Sequence, residues 1–286
     1  MIHELIAQWS KKACIAQLCR LFQISRSGYY AARARAATPR PVCAQSVQAK
    51  AAFQASRCNY GSRRLSQELR ARGVDVGRYR ARTLMRRNGL RPRWQRKFVH
   101  TTNSRHGLPV APNVLDRQFK PETPNRAWAC DITYVRTASG WLYLAVVLDL
   151  YSRKVIGWSS AAAMPAQLVC AALSMAITSR RPPRGLIVHS DRGSQYASAE
   201  YAKLLAQHGL VASMSRAGNC WDNAVMERFF LNLKMEQLWS RQYANHAEAR
   251  ADIADYIVGF YNTSRLHSSL GYRSPADYER LPAVPG

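Results

Sequence analysis

The sequence lacks several features that would assign it to common classes of protein. None of its apolar runs reaches about 18 residues, the length that a helix needs to cross a bilayer. Its first residues also lack the charged-then-apolar order of a signal peptide. The seven cysteines are odd in number and include no C-x-x-C pair. We therefore expect neither a transmembrane helix nor a disulfide framework, and the cysteine spacing does not favour a zinc site.

Acidic residues are also scarce. The 286 residues contain 17 Asp and Glu against 42 Lys and Arg, which gives a formal net charge of +25. Residues 1–120 hold 25 of the basic residues and four acids, whereas residues 121–286 hold 17 basic and 13 acidic residues. A segment this basic binds a polyanion with release of counterions, and a general solubility charge would not be confined to one half. Nucleic acid is the expected partner, although charge alone leaves RNA and an anionic membrane surface open.

The basic half begins with a pattern typical of a helix, a turn and a second helix, and we assign it with its linker to residues 1–48. Apolar residues recur at helical spacing from Ile15, and Ser25 is placed to cap a second helix that presents Arg26 outward. An ordinary helical hairpin would give the same pattern. Residues 35–48 show no periodicity and are interpreted as a linker.

Residues 49–92 repeat the helix-turn-helix pattern more strongly. One predicted helix ends at Gly73, and a second runs from about Arg78 to Asn88. Five arginines lie on the second helix with few acids nearby, so DNA phosphate is their expected counterion. A basic connector follows over residues 93–125. In this half of the chain, DNA contacts are predicted at Arg26, Arg63, Arg64, Arg78, Arg80, Arg82, Arg86, Arg87, Arg96 and Lys97.

The character of the chain changes at about residue 126. Within residues 126–240, apolar segments predict three successive strands, then a helix, a strand, a helix, a fifth strand and a long helix. The predicted strands are 128–135, 141–149, 154–159, 185–190 and 210–213. This order predicts an α/β fold with a mixed five-stranded sheet and flanking helices, as in a ribonuclease-H-like core, preceded by all-helical DNA-binding regions. Residues 241–286 are predicted to form a C-terminal helical segment and tail.

Three of the scarce acids occupy informative positions. Asp131 lies inside an apolar strand, Asp191 follows the fourth strand, and Glu227 lies in the long helix. A buried carboxylate is costly unless a charge pairs with it, and neighbouring first and fourth strands would bring Asp131 and Asp191 together. Converging carboxylates suit Mg²⁺ or Mn²⁺, which can activate an attacking hydroxyl and stabilise the leaving oxygen of a phosphodiester. The pattern alone also allows caps or salt bridges, and Asp222 is placed as an N-cap.

The segments around these acids resemble a known family. Asp131 and Asp191 are separated by 59 residues, and Asp191 and Glu227 by 35. These gaps resemble the DDE catalytic core of transposases and retroviral integrases. Lys234 matches a basic residue that such enzymes place two helical turns after the glutamate. Longer motifs resemble the second-frame protein (OrfB) of bacterial insertion sequences with two overlapping reading frames: Trp128-x-x-Asp131-Ile132-Thr133-Tyr134, His189-Ser190-Asp191-Arg192-Gly193-Ser194-Gln195-Tyr196, Asp222-Asn223-Ala224-x-x-Glu227 and Tyr261-Asn262-x-x-Arg265-x-His267-x-x-Leu270-Gly271-Tyr272-x-Ser274-Pro275.

The resemblance implies a transposase that cleaves DNA at the inverted-repeat ends of its own element and joins them to a target. Water and then a DNA 3′-hydroxyl are the implied nucleophiles. The implied catalytic and metal-binding residues are Asp131, Asp191 and Glu227, with two Mg²⁺ or Mn²⁺ ions per site. The resemblance also implies homo-oligomers, a fusion with the first-frame protein of the element, and a cytoplasmic, nucleoid-associated enzyme in a bacterium.

Further residues near the acids are predicted to take part. DNA contacts are expected at Arg192, Gln195, Tyr196 and Lys234. His189 and Asn223 are expected to support the active site, with a structural hydrogen bond as the alternative for His189.

Two other functions stay open. The first is a DNA-binding regulator derived from a transposase, and the second is a nuclease of the same superfamily that cuts without joining. The intact acidic set argues against the regulator, because clustered acids do not help a protein bind a polyanion. The family motifs argue against the nuclease, and the buried acids argue against a charged scaffold or a membrane-surface protein.

Overall fold

The structure is a computed structural model that describes residues 2–11, 13–37, 43–93, 109–216 and 219–281. The chain divides into two compact units, Met1–Gln48 and Ala49–Gly286. In the described ranges, no helix has the length and apolar character that crossing a membrane requires.

The first unit contains three short helices, α1 (Ile2–Trp9), α2 (Ile15–Leu21) and α3 (Arg26–Ala37). Ser25 Oγ accepts a hydrogen bond of 3.0 Å from the Gly28 N–H, as expected for the cap predicted at the start of α3. Ile6 of α1 packs with Leu18 and Tyr29 in a small core. Helix α1 was not predicted, yet it supplies one of the three largest side chains of this core.

The second unit begins with a helix-turn-helix-like region made of α4 (Ala44–Ala55), α5 (Ser62–Ala71) and α6 (Arg78–Arg87). Gly73 and Gly89 follow α5 and α6 with φ of 79° and 65°, which is the left-handed conformation that commonly ends a helix. The linker predicted over residues 35–48 is shorter in the structure, because residues 35–37 belong to α3 and residues 44–48 to α4. Alanine and glutamine favour the α4 helix, but few large apolar residues mark its buried side.

A mixed five-stranded sheet forms the centre of the second unit, as predicted. Its strands are β1 (Ala127–Thr137), β2 (Gly140–Asp149), β3 (Val155–Ala161), β4 (Ile187–Ser190) and β5 (Val211–Met214), in the order β3-β2-β1-β4-β5. The first three strands are antiparallel, whereas β4 is parallel to both β1 and β5. The predicted strand bounds agree with these to within two residues.

Helices cover both faces of the sheet. Helices α7 (Ala166–Arg180) and α8 (Ala199–Gln207) pack on the face that contains Trp128 and Cys130. The opposite face carries α9 (Ala224–Leu233) and α10 (His246–Ala254), which continue as π-helical turns over Lys234–Leu238 and Asp255–Tyr261, and the last helix is α11 (Pro275–Arg280). Successive strand residues point to opposite faces. Asp131 therefore points to the face that α9 covers.

A buried polar cluster joins the helix-turn-helix-like region to the C-terminal tail. Arg265 donates two hydrogen bonds of 2.7 Å to the Glu236 carboxylate, and the Tyr256 hydroxyl donates a third of 2.8 Å. Arg265 and Glu236 are 1% and 5% exposed, so each needs the other's charge. The Tyr60 hydroxyl accepts a hydrogen bond of 2.8 Å from the Leu266 N–H. These bonds hold the tail against both α5 and the end of α9.

Candidate active site

The sheet register places Asp131 and Asp191 next to each other. Strands β1 and β4 are parallel, and Ala129 pairs with His189 in their register. Asp131 and Asp191 each lie two residues further along, and neighbouring strands are about 4.8 Å apart. Glu227 lies on α9, which packs against β1. Residues that are far apart in the sequence therefore meet at one position of the sheet.

The electrostatics of Asp131 show that the three carboxylates are neighbours. Its pKa is raised well above the usual value, first because burial removes water and then because Asp191 and Glu227 add negative charge. The Ile132 N–H, which donates to Asp131 Oδ1 at 2.8 Å, and the charge of Lys234 both act in the opposite direction. The site therefore carries an excess of negative charge.

Lys234 contributes positive charge beside Asp131. Its ammonium nitrogen lies 4.9 Å from the centre of the Tyr134 ring, within the range of a cation–π contact. Burial lowers the pKa of Lys234, while the charge of Asp131 raises it. The helix changes from α to π geometry at this residue, and such turns are frequent at functional sites. Its predicted contact with DNA stays a prediction.

None of the three acids is fully buried. Asp191 Oδ1 accepts a hydrogen bond of 3.0 Å from the Gly193 N–H, and Glu227 is exposed on the first turn of α9. Among the residues that the structure describes, no three His, Cys, Asp or Glu side chains are grouped closely enough to hold a metal ion. The arrangement thus supplies hard oxygen donors around one sheet position without enclosing it.

Tyr196, in the loop after Asp191, does not face solvent, so its predicted contact with DNA is wrong. The side chain is 4% exposed, and its ring packs edge-on against Tyr201 with 5.3 Å between the ring centres. Both rings belong to the hydrophobic core under α7 and α8. An aromatic residue beside a catalytic motif has the same local pattern whether it faces the core or the solvent, because its neighbours in space are distant in the sequence.

Two other residues of this loop are partly exposed. Arg192 donates a hydrogen bond of 2.7 Å from Nε to the Ser215 carbonyl, and this bond fixes the Nε end of its guanidinium. Gln195 donates from Nε2 to the Met164 carbonyl at 3.1 Å. These bonds orient both side chains beside the acids, and their contacts with DNA stay predictions.

The two residues predicted to support the active site differ in their surroundings. The ring nitrogens of His189 lie 2.9 Å from Ser213 Oγ and 3.2 Å from Ser215 Oγ, in a site closed to solvent. Burial lowers the pKa of His189 to about 4, so the ring is neutral at pH 7. His189 thus fixes β4 to β5, as the structural alternative predicts, and its support of the acids stays a prediction. Asn223 is buried and its Oδ1 has no hydrogen-bond partner in the described part of the chain, so its role stays a prediction.

Asp222 is a buried ion-pair residue and does not act as the helix N-cap that the sequence predicts. Its carboxylate accepts hydrogen bonds of 2.9 Å from Arg216 Nε and Nη2, 2.8 Å from Arg117 Nε and 3.1 Å from Asn113 Nδ2. The hydrogen bonds from Arg216 hold the pKa of this carboxyl far below its usual range. Asp222 therefore ties the connector before β1 to the turn that starts α9, a pairing with no local signal in the sequence.

Most of the predicted DNA-contact arginines are exposed, but Arg64 is half-buried. Its guanidinium lies 3.7 Å from Glu236 and 5.8 Å from the centre of the Tyr60 ring, beside the buried polar cluster, and its contact with DNA stays a prediction. Arg96 and Lys97 lie outside the described residues. The exposed arginines are Arg26 on α3, Arg63 on α5, and Arg78, Arg80, Arg82, Arg86 and Arg87 on α6.

Comparisons with known proteins bear on both halves of the chain. Family models described as "Integrase core domain" match residues 121–220 and 208–275, and one described as "HTH-like domain" matches residues 44–98. The chain is 45% identical over 263 residues to "Insertion element IS600 uncharacterized 31 kDa protein" of Shigella sonnei, covering 91% of this chain and 97% of that protein. It is 44% identical over 285 residues to "Transposase InsF for insertion sequence IS3A" of Escherichia coli strain K12, covering 98% of each.

A solved structure agrees with the fold. The chain matches a chain of the simian T-cell lymphotropic virus intasome in complex with PP2A regulatory subunit B56 gamma, with a TM-score of 0.50 and 16% identity. The match covers 84% of this chain and 76% of that one. At this identity the likeness shows the fold alone, which is that of an integrase catalytic core with helical additions.

Proposed function

Because this chain belongs to the IS3 family of insertion-sequence transposases, we propose that it cleaves phosphodiesters at the inverted-repeat ends of its own element and joins them to a target by 3′-hydroxyl attack. The family makes the chain a polynucleotidyl transferase with an integrase core domain. The observation that carries the finer proposal is the convergence of Asp131, Asp191 and Glu227 at one position of the sheet.

The proposed metal ligands are these three carboxylates, with two Mg²⁺ or Mn²⁺ ions per site. The donor set fits such ions, because hard carboxylate oxygens are their preferred ligands and the charges of Asp191 and Glu227 raise the pKa of Asp131. Bound divalent ions would activate the attacking hydroxyl and stabilise the leaving oxygen.

Residues of the chain position the reacting DNA. Lys234 lies beside Asp131 and is partly desolvated, so its ammonium is placed to hold a phosphate oxygen near the acids. In-line displacement by water and then by a DNA 3′-hydroxyl needs positioning and charge stabilisation more than a protein nucleophile. The proposal therefore includes no covalent bond between protein and DNA.

The exposed arginines are proposed to bind the DNA of the element ends. Five of them lie on α6 and one on α5, where they can neutralise phosphates and fix the DNA in register. An element has two ends, so a homo-oligomer of at least two chains is proposed. Fusion to the first-frame protein of the element would add further DNA binding, and the enzyme would act on nucleoid DNA in a bacterial cytoplasm.

Cleavage and joining of a labelled inverted-repeat duplex, with Mg²⁺ or Mn²⁺, tests the proposal. Asp191→Asn and Glu227→Gln should each reduce both reactions by roughly 100-fold or more, as expected for loss of transition-state charge stabilisation, while the affinity for DNA stays within about twofold. Glu200→Gln is the matched control, because Glu200 is exposed on α8 and contacts Gln167 away from the acids.

The outcomes separate the alternatives. Cleavage without joining would favour the nuclease, and binding without chemistry in wild type would require the same assay with the chain fused to its first-frame protein. Absence of metal-dependent chemistry in the fused protein as well would exclude the proposed reaction.

A further inference from the structure

We propose that the C-terminal tail completes a binding site for the phosphates of double-stranded DNA, about 290 Å³ in volume, at the surface of the helix-turn-helix-like region. This arginine cavity rests on the proposed function, since it assumes that DNA is the ligand, and it adds two residues to the interface, Arg70 and Tyr272. The cavity is lined by Arg63, Ser66, Gln67, Arg70, Arg78 and Tyr272.

Three arginines line the arginine cavity. Arg63 and Arg70 extend from α5, and Arg78 is the first residue of α6. Asp75 lies 3.8 Å from Arg70 Nε, but its side chain is fully exposed, so this pair is weakly held and screened by solvent. Three like charges around one concave surface repel, and a phosphate relieves that repulsion through charge-assisted hydrogen bonds.

Tyr272 lies in the tail with a backbone conformation that is unusual for a residue other than glycine. Tyr272 has φ of 60° and follows Gly271, which has φ of 61°. This left-handed conformation disfavours a residue with a Cβ, so glycine is the residue that the backbone itself would prefer. Two hydrogen bonds hold the turn: Tyr272 N–H donates to the His267 carbonyl at 2.8 Å, and His267 N–H donates to the Arg273 carbonyl at 3.0 Å. A tyrosine held in a disfavoured conformation beside three arginines points to a role for its side chain.

The position of the tail explains what the cavity adds to DNA binding. Arg265, seven residues before Tyr272, is bonded to Glu236 in the turn that continues α9. DNA that contacts both the arginines and Tyr272 is therefore held by a segment that is fixed to the catalytic core. The tail motif that contains Leu270-Gly271-Tyr272 thus has a proposed function in DNA binding as well as in the fold.

The affinity of the full-length chain for an inverted-repeat duplex, measured at several salt concentrations, tests the cavity. Tyr272→Gly should weaken binding by about tenfold, the size of one hydrogen bond to a charged group. Its melting temperature should stay the same or rise, because glycine relieves the left-handed backbone. Arg70→Gln should weaken binding and lower the slope of log K against log salt by about 1.

Arg280→Gln is the control for a general loss of charge. Arg280 is an exposed arginine of α11 outside the cavity, and its variant should bind DNA within about twofold of wild type. Wild-type affinity and salt slope in both Tyr272→Gly and Arg70→Gln would overturn the arginine cavity while cleavage by the wild type still supports the proposed function. Loss of affinity accompanied by a lower melting temperature in Tyr272→Gly would also overturn it, whereas a wild type that binds no DNA would remove both proposals.

Discussion

His267 lies among arginines in the buried polar cluster, with its Nε2 3.3 Å from Arg265 Nη1. Burial, together with the charges of Arg265, Arg64 and Arg153, lowers the pKa of His267 to about 2. The folded protein therefore keeps this ring neutral at every pH at which the protein would be handled. A histidine in a family motif is in this case a structural residue.

The neutrality of His267 predicts a loss of stability in mild acid. In the unfolded chain an ordinary histidine takes up a proton near pH 6.5, whereas in the folded chain His267 does so only near pH 2. The neutral His267 ring thus contributes fully to the free energy of unfolding above pH 6.5. This contribution is lost as the pH falls below that value, by up to about 1.4 kcal/mol per pH unit. Urea unfolding at pH 7 and pH 5.5 measures this loss.

The variant His267→Gln should lose roughly half as much stability as wild type between these two pH values, because glutamine does not titrate whereas His189, whose pKa is lowered to about 4, still does. His208→Gln serves as the control, since His208 is exposed after the end of α8, and it should follow the wild type. Equal losses in His267→Gln and wild type would show that another group is responsible.

Asp131, Asp191 and Glu227 could be predicted from the sequence because acids are rare in this chain and one of them interrupts an apolar strand. The exposure of individual polar residues could not be predicted from the sequence. Arg64 is turned inward by Glu236, and Tyr196 is packed against Tyr201. Such contacts depend on which segments meet in space, and no local pattern records them.

At the scale of elements, the strands and the helices between them were predictable because apolar runs of the right length mark a buried sheet. Helices α1 and α4 were missed, since α4 has few large apolar residues and α1 is a short segment before the first clear periodicity. The sequence predicts a basic connector over residues 93–125 but not where it lies. Part of it packs on the sheet, where Leu115 is buried and the Val114 N–H donates to Ser213 Oγ at 3.0 Å.

The connector is held by Asp222, so Asp222→Asn should release it. The change removes a buried carboxylate that binds Arg117 and Arg216. A loss of about 2 kcal/mol in the free energy of unfolding is expected, because the hydrogen bonds to a charged group weaken and buried donors are left without a full partner. Strand joining should fall as well, since the turn before α9 positions Glu227.

Chemical denaturation and the joining assay measure both effects. Asp116→Asn is the control, because Asp116 also lies near Arg216, at 3.4 Å, but is 66% exposed. The control should lose little stability. If Asp222→Asn and Asp116→Asn were equally mild, the connector would not depend on the buried carboxylate.

At the scale of the whole chain, charge and core are distributed differently. The positive charge is concentrated before residue 120, whereas one hydrophobic core contains residues of α4, α5 and α6 together with residues of the sheet, α9 and α10. The regions that the sequence separates at residues 92, 125 and 240 therefore belong to one compact unit. Composition predicts where the chain binds DNA, but it does not show which segments share a core.

The Arg265–Glu236 pair should hold this unit together. Arg265→Met and Glu236→Gln should each lower the free energy of unfolding by about 3 kcal/mol, because each leaves a buried group without its partner. The double variant should lose clearly less than the sum of the two. Strictly additive losses in chemical denaturation would mean that the two residues stabilise the fold independently.

The central claim is that the three carboxylates drive attack by a DNA 3′-hydroxyl. Joining of a pre-cleaved, labelled element end to target DNA tests it most directly, with ends that carry either a 3′-hydroxyl or a 3′-deoxy terminus. We predict metal-dependent joining of the 3′-hydroxyl end by wild type, none of the 3′-deoxy end, and none by Asp131→Asn, Asp191→Asn or Glu227→Gln while they still bind the DNA. Joining of the 3′-deoxy end, or joining that survives in any of the three variants, would contradict the account.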